Sequence, residues 1–316
     1  MGFHHSANNY TIRDFENRLR SQRESMARRS KVPDQSAERE YFSSERRRFE
    51  VLAKHAQFIG NKIGSQITDE RRGMASWLFI KACVASNTIV RLFEPQPSEF
   101  GGVEYLDHAS IAGLARALIE NIGVLLYVGD VLIHEDQWRC RKHIIDLHDY
   151  MNRAAFLKGI NYQAGPQADE KKYAFLRERV ESNPYFKNLP RHRQKRILSG
   201  EDMFTAGRHA MMLELGWGED LTRAVYKYLS NQTHSLPMSF HRTMMNQLYE
   251  QESASAMVIA AFATEFARKA LGRGCVHMIS LFPYIEATLD QLVFSSLTSD
   301  YGQQETPQMS AARRPE

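Results

Sequence analysis

Cysteine is scarce in this sequence. Only three are present, Cys83, Cys140 and Cys275, and they lie far apart. An odd number of cysteines cannot all pair within one chain, and no CxxC occurs, which excludes a disulfide framework, a zinc knuckle and a thioredoxin-like site. Scattered thiols are typical of proteins that fold in a reducing compartment, where they pack as small apolar side chains. The sequence therefore predicts a cytoplasmic location.

Long apolar runs are also lacking. The longest uncharged apolar stretch, 253–264, is closed by Glu252 and Glu265, and it is shorter than the roughly 20 residues that cross a bilayer. The N-terminal sequence MGFHHSANNY has no apolar segment of the kind that a secretory signal needs. The sequence thus predicts no membrane-spanning segment and no membrane partner.

Several signatures of well-defined chemistry are missing. The chain has no GxxxxGK[ST], GxGxxG, GxSxG, HExxH or ExxH, which argues against P-loop, dinucleotide-binding, hydrolase, zinc-protease and di-iron sites. His143 and His148 are five residues apart, about 140° around a helix, a poor geometry for sharing one metal ion. The sequence predicts neither a metal nor a cofactor.

Charge is distributed unevenly. Residues 1–72 contain fifteen Lys and Arg against ten Asp and Glu, whereas the remainder contains 26 against 27. We expect residues 1–66 to form a basic helical extension whose exposed helices either contact nucleic acid or are solvated faces with internal ion pairs. The polar tail, 299–316, is predicted to be disordered.

The pattern from residue 67 is one of long helices with short breaks, and no alternating strand pattern occurs. Asp69 and Asp107 are predicted to cap two of these helices. Further helices are predicted at about 136–157, 169–182, 219–234, 245–271 and 276–297, with the LGRG sequence at 271–274 as a turn. The predicted fold class is all-α, with residues 67–298 forming a bundle of long antiparallel helices.

The helix predicted at about 219–234, within the segment 219–237, carries a polar stripe opposite its apolar face when plotted at about 100° per residue. The stripe consists of Arg223, Lys227, Ser230, Asn231 and His234. A histidine can exchange a proton with a ribose hydroxyl or a leaving oxygen, and a nearby cation can hold the phosphate. The structural alternative is a helix face that hydrogen-bonds to a neighbouring helix.

A second polar stripe lies on the helix predicted over 108–130, where Arg116, Glu120 and Tyr127 fall on one side. Gly123, on the same side, would allow another helix to approach closely. The two stripes can then face each other, with Glu120 pairing with Lys227 or Arg223. The alternative is a local ion pair between Arg116 and Glu120 on the surface.

A third feature is the basic segment 185–198, YFKNLPRHRQKRIL, which contains no acidic residue. Its cations are Lys187, Arg191, Arg193, Lys195 and Arg196. Basic charge beside Tyr185 and Phe186 suits a phosphate backbone with stacked bases. An exposed loop and short helix kept soluble by charge would have the same composition.

Two of these segments carry a family resemblance. The sequence RALIEN from Arg116 to Asn121, together with YKYLSNQTHS from Tyr226 to Ser235, resembles a family of bacterial all-helical proteins related to the HEPN superfamily (higher eukaryotes and prokaryotes nucleotide-binding). The resemblance covers about residues 68–298 and implies a HEPN-like helical bundle that forms a homodimer. Ribonucleases of that superfamily act without metal, through an arginine followed a few residues later by a histidine.

This chain departs from that motif, because the arginine position before His234 holds Lys227 and the next position holds Tyr228. A lysine cannot reproduce the bidentate contact of arginine with phosphate. Two hypotheses therefore stand. The first is a metal-independent endoribonuclease in stress or phage defence, with His234 as acid and base, Lys227 and Arg223 holding phosphate, and the orienting groups Ser230, Asn231 and Glu120. The second is a non-catalytic module in which segment 185–198 binds RNA, a nucleotide or a protein partner.

Overall fold

The computed structural model describes residues 35–64, 68–94, 96–97, 104–162, 170–240 and 253–302. The predicted all-α class is confirmed, since the only sheet pairing in these ranges joins two-residue segments, β1 (Gln96–Pro97) and β2 (Glu104–Tyr105). The helices are α1 (Ser36–Ile63), α2 (Glu70–Leu92), α3 (His108–Gly129), α4 (Glu135–Gly159), α5 (Glu170–Ser182), α6 (Pro184–Lys187), α7 (Arg191–Leu198), α8 (Arg208–Leu213), α9 (Glu219–Thr233), α10 (Pro237–Phe240), α11 (Ala254–Leu281) and α12 (Gln291–Tyr301), with a 3-10 helix at Pro283–Thr288.

Side-chain caps begin the long helices where the sequence predicts them. The Asp69 carboxylate accepts a hydrogen bond from the backbone N–H of Arg72 at the start of α2, and Asp107 accepts one from Ser110 at the start of α3. Each cap satisfies one of the N–H groups that a helix leaves without an internal partner. The caps therefore fix the positions at which α2 and α3 enter the bundle.

Four helices, α1, α2, α3 and α11, enclose the main core. Helix α1 runs antiparallel to α2, since Phe49 packs against Phe93 near one end and Gly60 lies beside Phe79 nearer the other. Helix α11 instead runs parallel to α1, because Tyr41 near the start of α1 donates to Glu265 at 2.6 Å, while Tyr284, just after the end of α11, reaches the carbonyl of Ile63 at the end of α1. The predicted antiparallel arrangement thus holds for α1 to α3 but not for α11, because helices α4 to α10 intervene before α11 joins the bundle.

The predicted turn at LGRG is wrong, because α11 continues through these residues to Leu281. Gly272 and Gly274 are buried and serve close packing instead of ending the helix. A Cβ atom on Gly274 would lie 2.6 Å from Ile122 Cδ1 of α3, and one on Gly272 would overlap the ring of Tyr301 on α12. Glycine at both positions therefore allows the neighbouring helices to approach α11.

The N-terminal extension predicted at 1–66 is not a separate exposed unit in its second half. Helix α1 contributes Phe49, Ala56 and Ile59 to the main core, each with no exposed surface. Residues 1–34 lie outside the described residues. Similarly, the tail predicted to be disordered from residue 299 begins inside α12, where Tyr301 accepts a hydrogen bond from Arg268 at 2.8 Å. Residues 303–316 lie outside the described residues.

A smaller second core lies under helices α4 to α7. Its buried residues are Cys140, Ile144, Leu147, Val180, Phe186 and Ile197. This cluster places the basic segment 185–198 beside α4, away from the centre of the four-helix core.

Helices α2 and α3 are long and apolar enough to cross a membrane by length and composition alone. In α3, 67% of the most apolar 18-residue stretch is buried, and this helix forms the centre of the bundle. In α2, only 28% of the corresponding stretch is buried. The apolar character of α3 is explained by the core, whereas much of α2 remains open at the surface.

Candidate functional site

The candidate site lies where α9 packs against α3. Helix α9 buries Val225 and Leu229 toward the core and leaves its polar side at the edge of the interface. Thr233 reaches Gly113 of α3, where a Cβ atom would be 4.0 Å from the threonine methyl group. The two polar stripes predicted from the sequence meet only at Arg116 and His234, because Gly123 faces Met211 of α8 and Tyr127 is buried beside Thr205.

Arg116 is at the centre of this edge. Its Nε donates to Glu120 Oε1 at 3.1 Å, and its Nη2 donates to the Tyr226 hydroxyl at 2.9 Å. Its Nη1 lies 2.7 Å from His234 Nε2, and the guanidinium carbon lies 4.9 Å from the centre of the Tyr226 ring. We call these residues, together with Arg208, the Arg116 cluster.

His234 is exposed at the C-terminal end of α9. Its backbone N–H donates to the Ser230 carbonyl at 3.0 Å. This hydrogen bond holds the His234 backbone on the last turn of the helix. Because a guanidinium group can only donate, Nε2 accepts in the contact with Arg116 and the ring proton is assigned to Nδ1. The His234 ring is therefore open to solvent beside the Arg116 cation, with its Nε2 held by Arg116.

Arg208 adds a second cation to the cluster. Its Nη1 lies 3.5 Å from the Tyr226 hydroxyl, and this hydrogen bond raises the pKa of Arg208 above its usual value. The Tyr226 oxygen therefore accepts from two guanidinium groups, which leaves its own hydrogen free to donate outward.

The loop before Arg208 is held by Arg193. The Arg193 guanidinium donates to the carbonyls of Thr205 and Phe204, at 3.1 and 2.6 Å, and pairs with the buried Asp202 at 2.9 Å. Gly207 follows with a φ of 92°, a left-handed conformation that favours glycine. Arg193 therefore supports the loop that carries Arg208 to the cluster and is not free to bind nucleic acid.

The other residues of the basic segment divide between surface and core. Lys187, Arg191 and Lys195 are exposed, and Arg196 lies 3.9 Å from Asp202. Phe186 is buried in the second core, and the Tyr185 hydroxyl accepts a hydrogen bond from Gln137 at 3.2 Å. The expected stacking of bases on these aromatic rings is not supported, because one ring is buried and the other is half-buried and anchored to α4.

Only part of the polar surface predicted from the two stripes belongs to the Arg116 cluster. Glu120 and His234 belong to it, but Glu120 pairs with Arg116 and not with either predicted cation. Arg223 pairs with Glu219 on its own helix, at 2.5 Å, and Lys227 is exposed.

Two further members of the predicted stripe lie on α9 outside the cluster. The Asn231 amide donates to the Lys227 carbonyl at 2.7 Å, and Ser230 is half-buried. Among the predicted phosphate holders, neither Lys227 nor Arg223 contacts His234 within the described residues.

Three cluster residues had no assigned role in the sequence prediction: Arg116, Tyr226 and Arg208. Arg116 was placed on the second polar stripe, as a local partner of Glu120, and in the RALIEN motif, but it was given no part in the chemistry. Tyr226 was left off the stripe, although it lies only about 40° from Ser230 on a helical projection, so helical spacing could have found it. Arg208 gives no such signal, because a loop folded around Arg193 places it there. Across the described residues, no group of three or more His, Cys, Asp or Glu side chains is arranged to hold a metal ion.

Comparison with known proteins finds no matching family model, no matching curated protein and no matching solved structure.

Proposed function

We propose that this protein is a HEPN-like, metal-independent endoribonuclease that acts in the cytoplasm at the Arg116 cluster. The observation that carries the proposal is the 2.7 Å contact between the Arg116 guanidinium and the exposed His234 imidazole. The sequence has Lys227 where the resemblance expects an arginine, and Arg116 supplies the missing guanidinium from a neighbouring helix. We therefore assign phosphate binding to Arg116 instead of Lys227.

The charge of the cluster suits one phosphodiester. Arg116 and Arg208 are cations, and Glu120 neutralises one of them through the Nε edge of Arg116. One positive charge remains in excess, and a phosphodiester carries one negative charge. The outward Tyr226 hydrogen supplies a further donor for a phosphate oxygen.

In the proposed reaction, the phosphate draws Arg116 away from His234 and frees Nε2. His234 then takes the proton of the ribose 2′-hydroxyl, and the 2′-oxygen forms a bond to phosphorus. The bond between phosphorus and the 5′-oxygen breaks, and the leaving oxygen takes a proton from water. The hydroxide that remains takes up the proton held on His234, which restores the base. The products are a 2′,3′-cyclic phosphate and a 5′-hydroxyl end, with no change of oxidation state.

The test is cleavage of structured and unstructured RNAs by the purified protein in EDTA. We expect His234→Ala to lose roughly 100-fold or more of the rate, because a positioned acid or base contributes that much. Arg116→Lys should lose roughly tenfold or more, since it keeps the charge but not the fork. Lys227→Ala should lose far less, and Lys158→Ala, at an exposed site on α4, serves as the matched control.

The second hypothesis, a non-catalytic module, is tested by measuring RNA binding with these variants and with Arg191→Ala and Lys195→Ala, two exposed positions of the basic segment 185–198. Binding that is lost in the two segment variants but kept in Arg116→Lys, without cleavage by any variant, would favour the module. Cleavage unaffected by His234→Ala would contradict the assignment of the base. The resemblance also leads us to propose a homodimer, which sedimentation of the purified protein would test.

A further inference from the structure

Helix α2 exposes a row of large apolar side chains. Trp77 is 75% exposed, Val84 61% and Ile80 49%. Their spacing of three and four residues places them on one side of the helix, opposite the buried Phe79 and Ala82. Contiguous exposed apolar surface of this kind marks an interaction site more often than isolated apolar residues do.

The charge around this row has one sign. No acidic residue occurs between positions 71 and 92, and Lys81 and Arg91 are exposed beside the row. Within the described residues, neither of these two cations forms an ion pair. The carboxylates nearest the helix ends are already paired, as in the Asp69–Arg72 bridge at 2.9 Å.

The adjacent face of α1 repeats the same composition. Residues 51–63 contain no acidic residue, and Val51, Lys54 and Phe58 are exposed. The Lys62 ammonium lies 5.2 Å from the centre of the Phe58 ring. The outer side of the antiparallel α1–α2 pair is therefore both apolar and basic along two neighbouring helices.

We propose that this surface, which we call the α2 face, docks on an anionic lipid bilayer. Its members are Val51, Lys54, Phe58, Trp77, Ile80, Lys81, Val84 and Arg91. Tryptophan favours the level of the lipid headgroups, aliphatic side chains enter the acyl boundary, and Lys and Arg pair with headgroup phosphates. This is peripheral docking by one side of a helix pair, and it replaces the expectation that the protein has no membrane partner.

Charge complementarity favours this occupant over a second copy of the chain. A two-fold dimer places the same surface against itself, so Lys54, Lys81 and Arg91 of each copy would face a basic surface that offers them no carboxylate. RNA would match the charge, but Ile80 and Val84 offer nothing to a phosphate backbone or a base. Lipid is the partner that uses both the charge and the aliphatic side chains.

Trp77 provides a direct probe. Of the three tryptophans, Trp138 is buried and Trp217 is half-buried, so a change in the environment of α2 will dominate the fluorescence. The full-length protein is titrated with vesicles containing phosphatidylglycerol or phosphatidylserine and, separately, with pure phosphatidylcholine vesicles. Binding is measured independently by co-sedimentation, with melting curves to confirm that every variant is folded.

We expect the anionic vesicles alone to sediment the protein and shift its emission to the blue, and added salt to weaken both effects. Lys81→Gln should reduce partitioning roughly fivefold, and Val84→Ser roughly tenfold. Trp77→Phe should lose the blue shift but retain most of the binding. Lys158→Gln and Leu292→Ala, both exposed elsewhere, should bind as the wild type does.

Three results would overturn the proposal. One is equal binding to neutral and anionic vesicles, which would remove the role of Lys81 and Arg91. Another is blue emission from Trp77 before lipid is added, since a second copy or another part of the chain would then cover the face. The third is RNA binding that Val84→Ser and Trp77→Phe abolish while lipid binding is absent.

Discussion

Three arginine side chains each form hydrogen bonds with parts of the chain that are distant in sequence. Arg116 connects α3 with α9, Arg193 holds the loop before α8, and Arg268 of α11 binds Glu45 of α1. A guanidinium group has five donors in a fixed plane, so one side chain can contact several acceptors at once. Lysine cannot replace it at these positions without losing most of those contacts.

His277 gives a residue-scale prediction about pH. It lies on α11, where a Cβ atom on Gly129 would be 2.5 Å from its Nε2, and burial lowers the pKa of His277 to about 4. Because the folded-state pKa is below the unfolded value, the stability is present above about pH 6.5 and is lost as pH falls toward 4. We expect a loss of at most ~3 kcal/mol from this group.

The measurement is denaturant unfolding between pH 4 and 7 for the wild type and His277→Gln. The free energy of unfolding of the variant should fall less than that of the wild type as the pH is lowered from 7 to 4. His192→Gln, at an exposed position, should leave the slope unchanged. Equal slopes for the wild type and His277→Gln would show that His277 does not titrate as its burial requires.

The sequence located part of the candidate site and could not locate the rest. His234 and Glu120 were found because helical spacing places each on a polar stripe. The contact between Arg116 and His234 depends on how α9 is rotated against α3, which spacing within either helix does not determine. Arg208 depends on a loop folded around Arg193, a tertiary arrangement with no local sequence pattern.

At the scale of a helix, glycine can either end the helix or allow a neighbouring helix to pack closely, and in α11 it does the second. LGRG resembles a helix end because glycine is common after the last turn. In this helix the two glycines are instead internal, and they make room for Ile122 and Tyr301.

The capped starts of α2 and α3 were predictable, since a cap is a local interaction. The burial of α1 had a local signal too, since Phe49, Ala56 and Ile59 recur at helical spacing, but the charged residues before Phe49 led to the prediction of an exposed extension.

Gly272→Ala tests this role of glycine. Alanine favours the helix by up to ~1 kcal/mol, but its Cβ would overlap the Tyr301 ring, and overpacking costs about 1–3 kcal/mol. We expect a net loss of stability and displacement of α12. In a Tyr301→Ala background the overlap is absent, so Gly272→Ala should be neutral or stabilising, as chemical denaturation of the four proteins would show. A loss of the same size in both backgrounds would contradict the packing role.

At the scale of the whole molecule, an ion pair connects α1 and α11, the first and last helices of the main core. Glu45 Oε2 accepts from Arg268 Nε at 2.9 Å, with side chains 4% and 12% exposed, and the residues are 223 positions apart. Arg268 also donates to the Tyr301 hydroxyl. One buried guanidinium thus links α1, α11 and α12.

Breaking this pair from one side should be costly. Glu45→Ala leaves a buried cation without its partner, and we expect a loss of about 3 kcal/mol or more. Glu45→Met combined with Arg268→Met should recover much of that loss, because it removes both charges. Arg48→Ala, which removes an exposed partner of Glu45, should cost less than ~1 kcal/mol. Urea unfolding of the wild type and the three variants measures these losses, and an equal loss for Arg48→Ala and Glu45→Ala would contradict the buried role of the Glu45–Arg268 pair.

The late position of α11 in the chain has a consequence for biosynthesis. Helices α1, α2 and α3 leave the ribosome long before residues 254–281 exist, yet α11 covers the core face of α1 and α3. Until then the apolar side of the nascent helices has no lasting cover, and contacts of such long sequence separation form slowly. The growing chain is therefore a natural client for chaperones, and a pause in translation ahead of α11 would favour aggregation over folding.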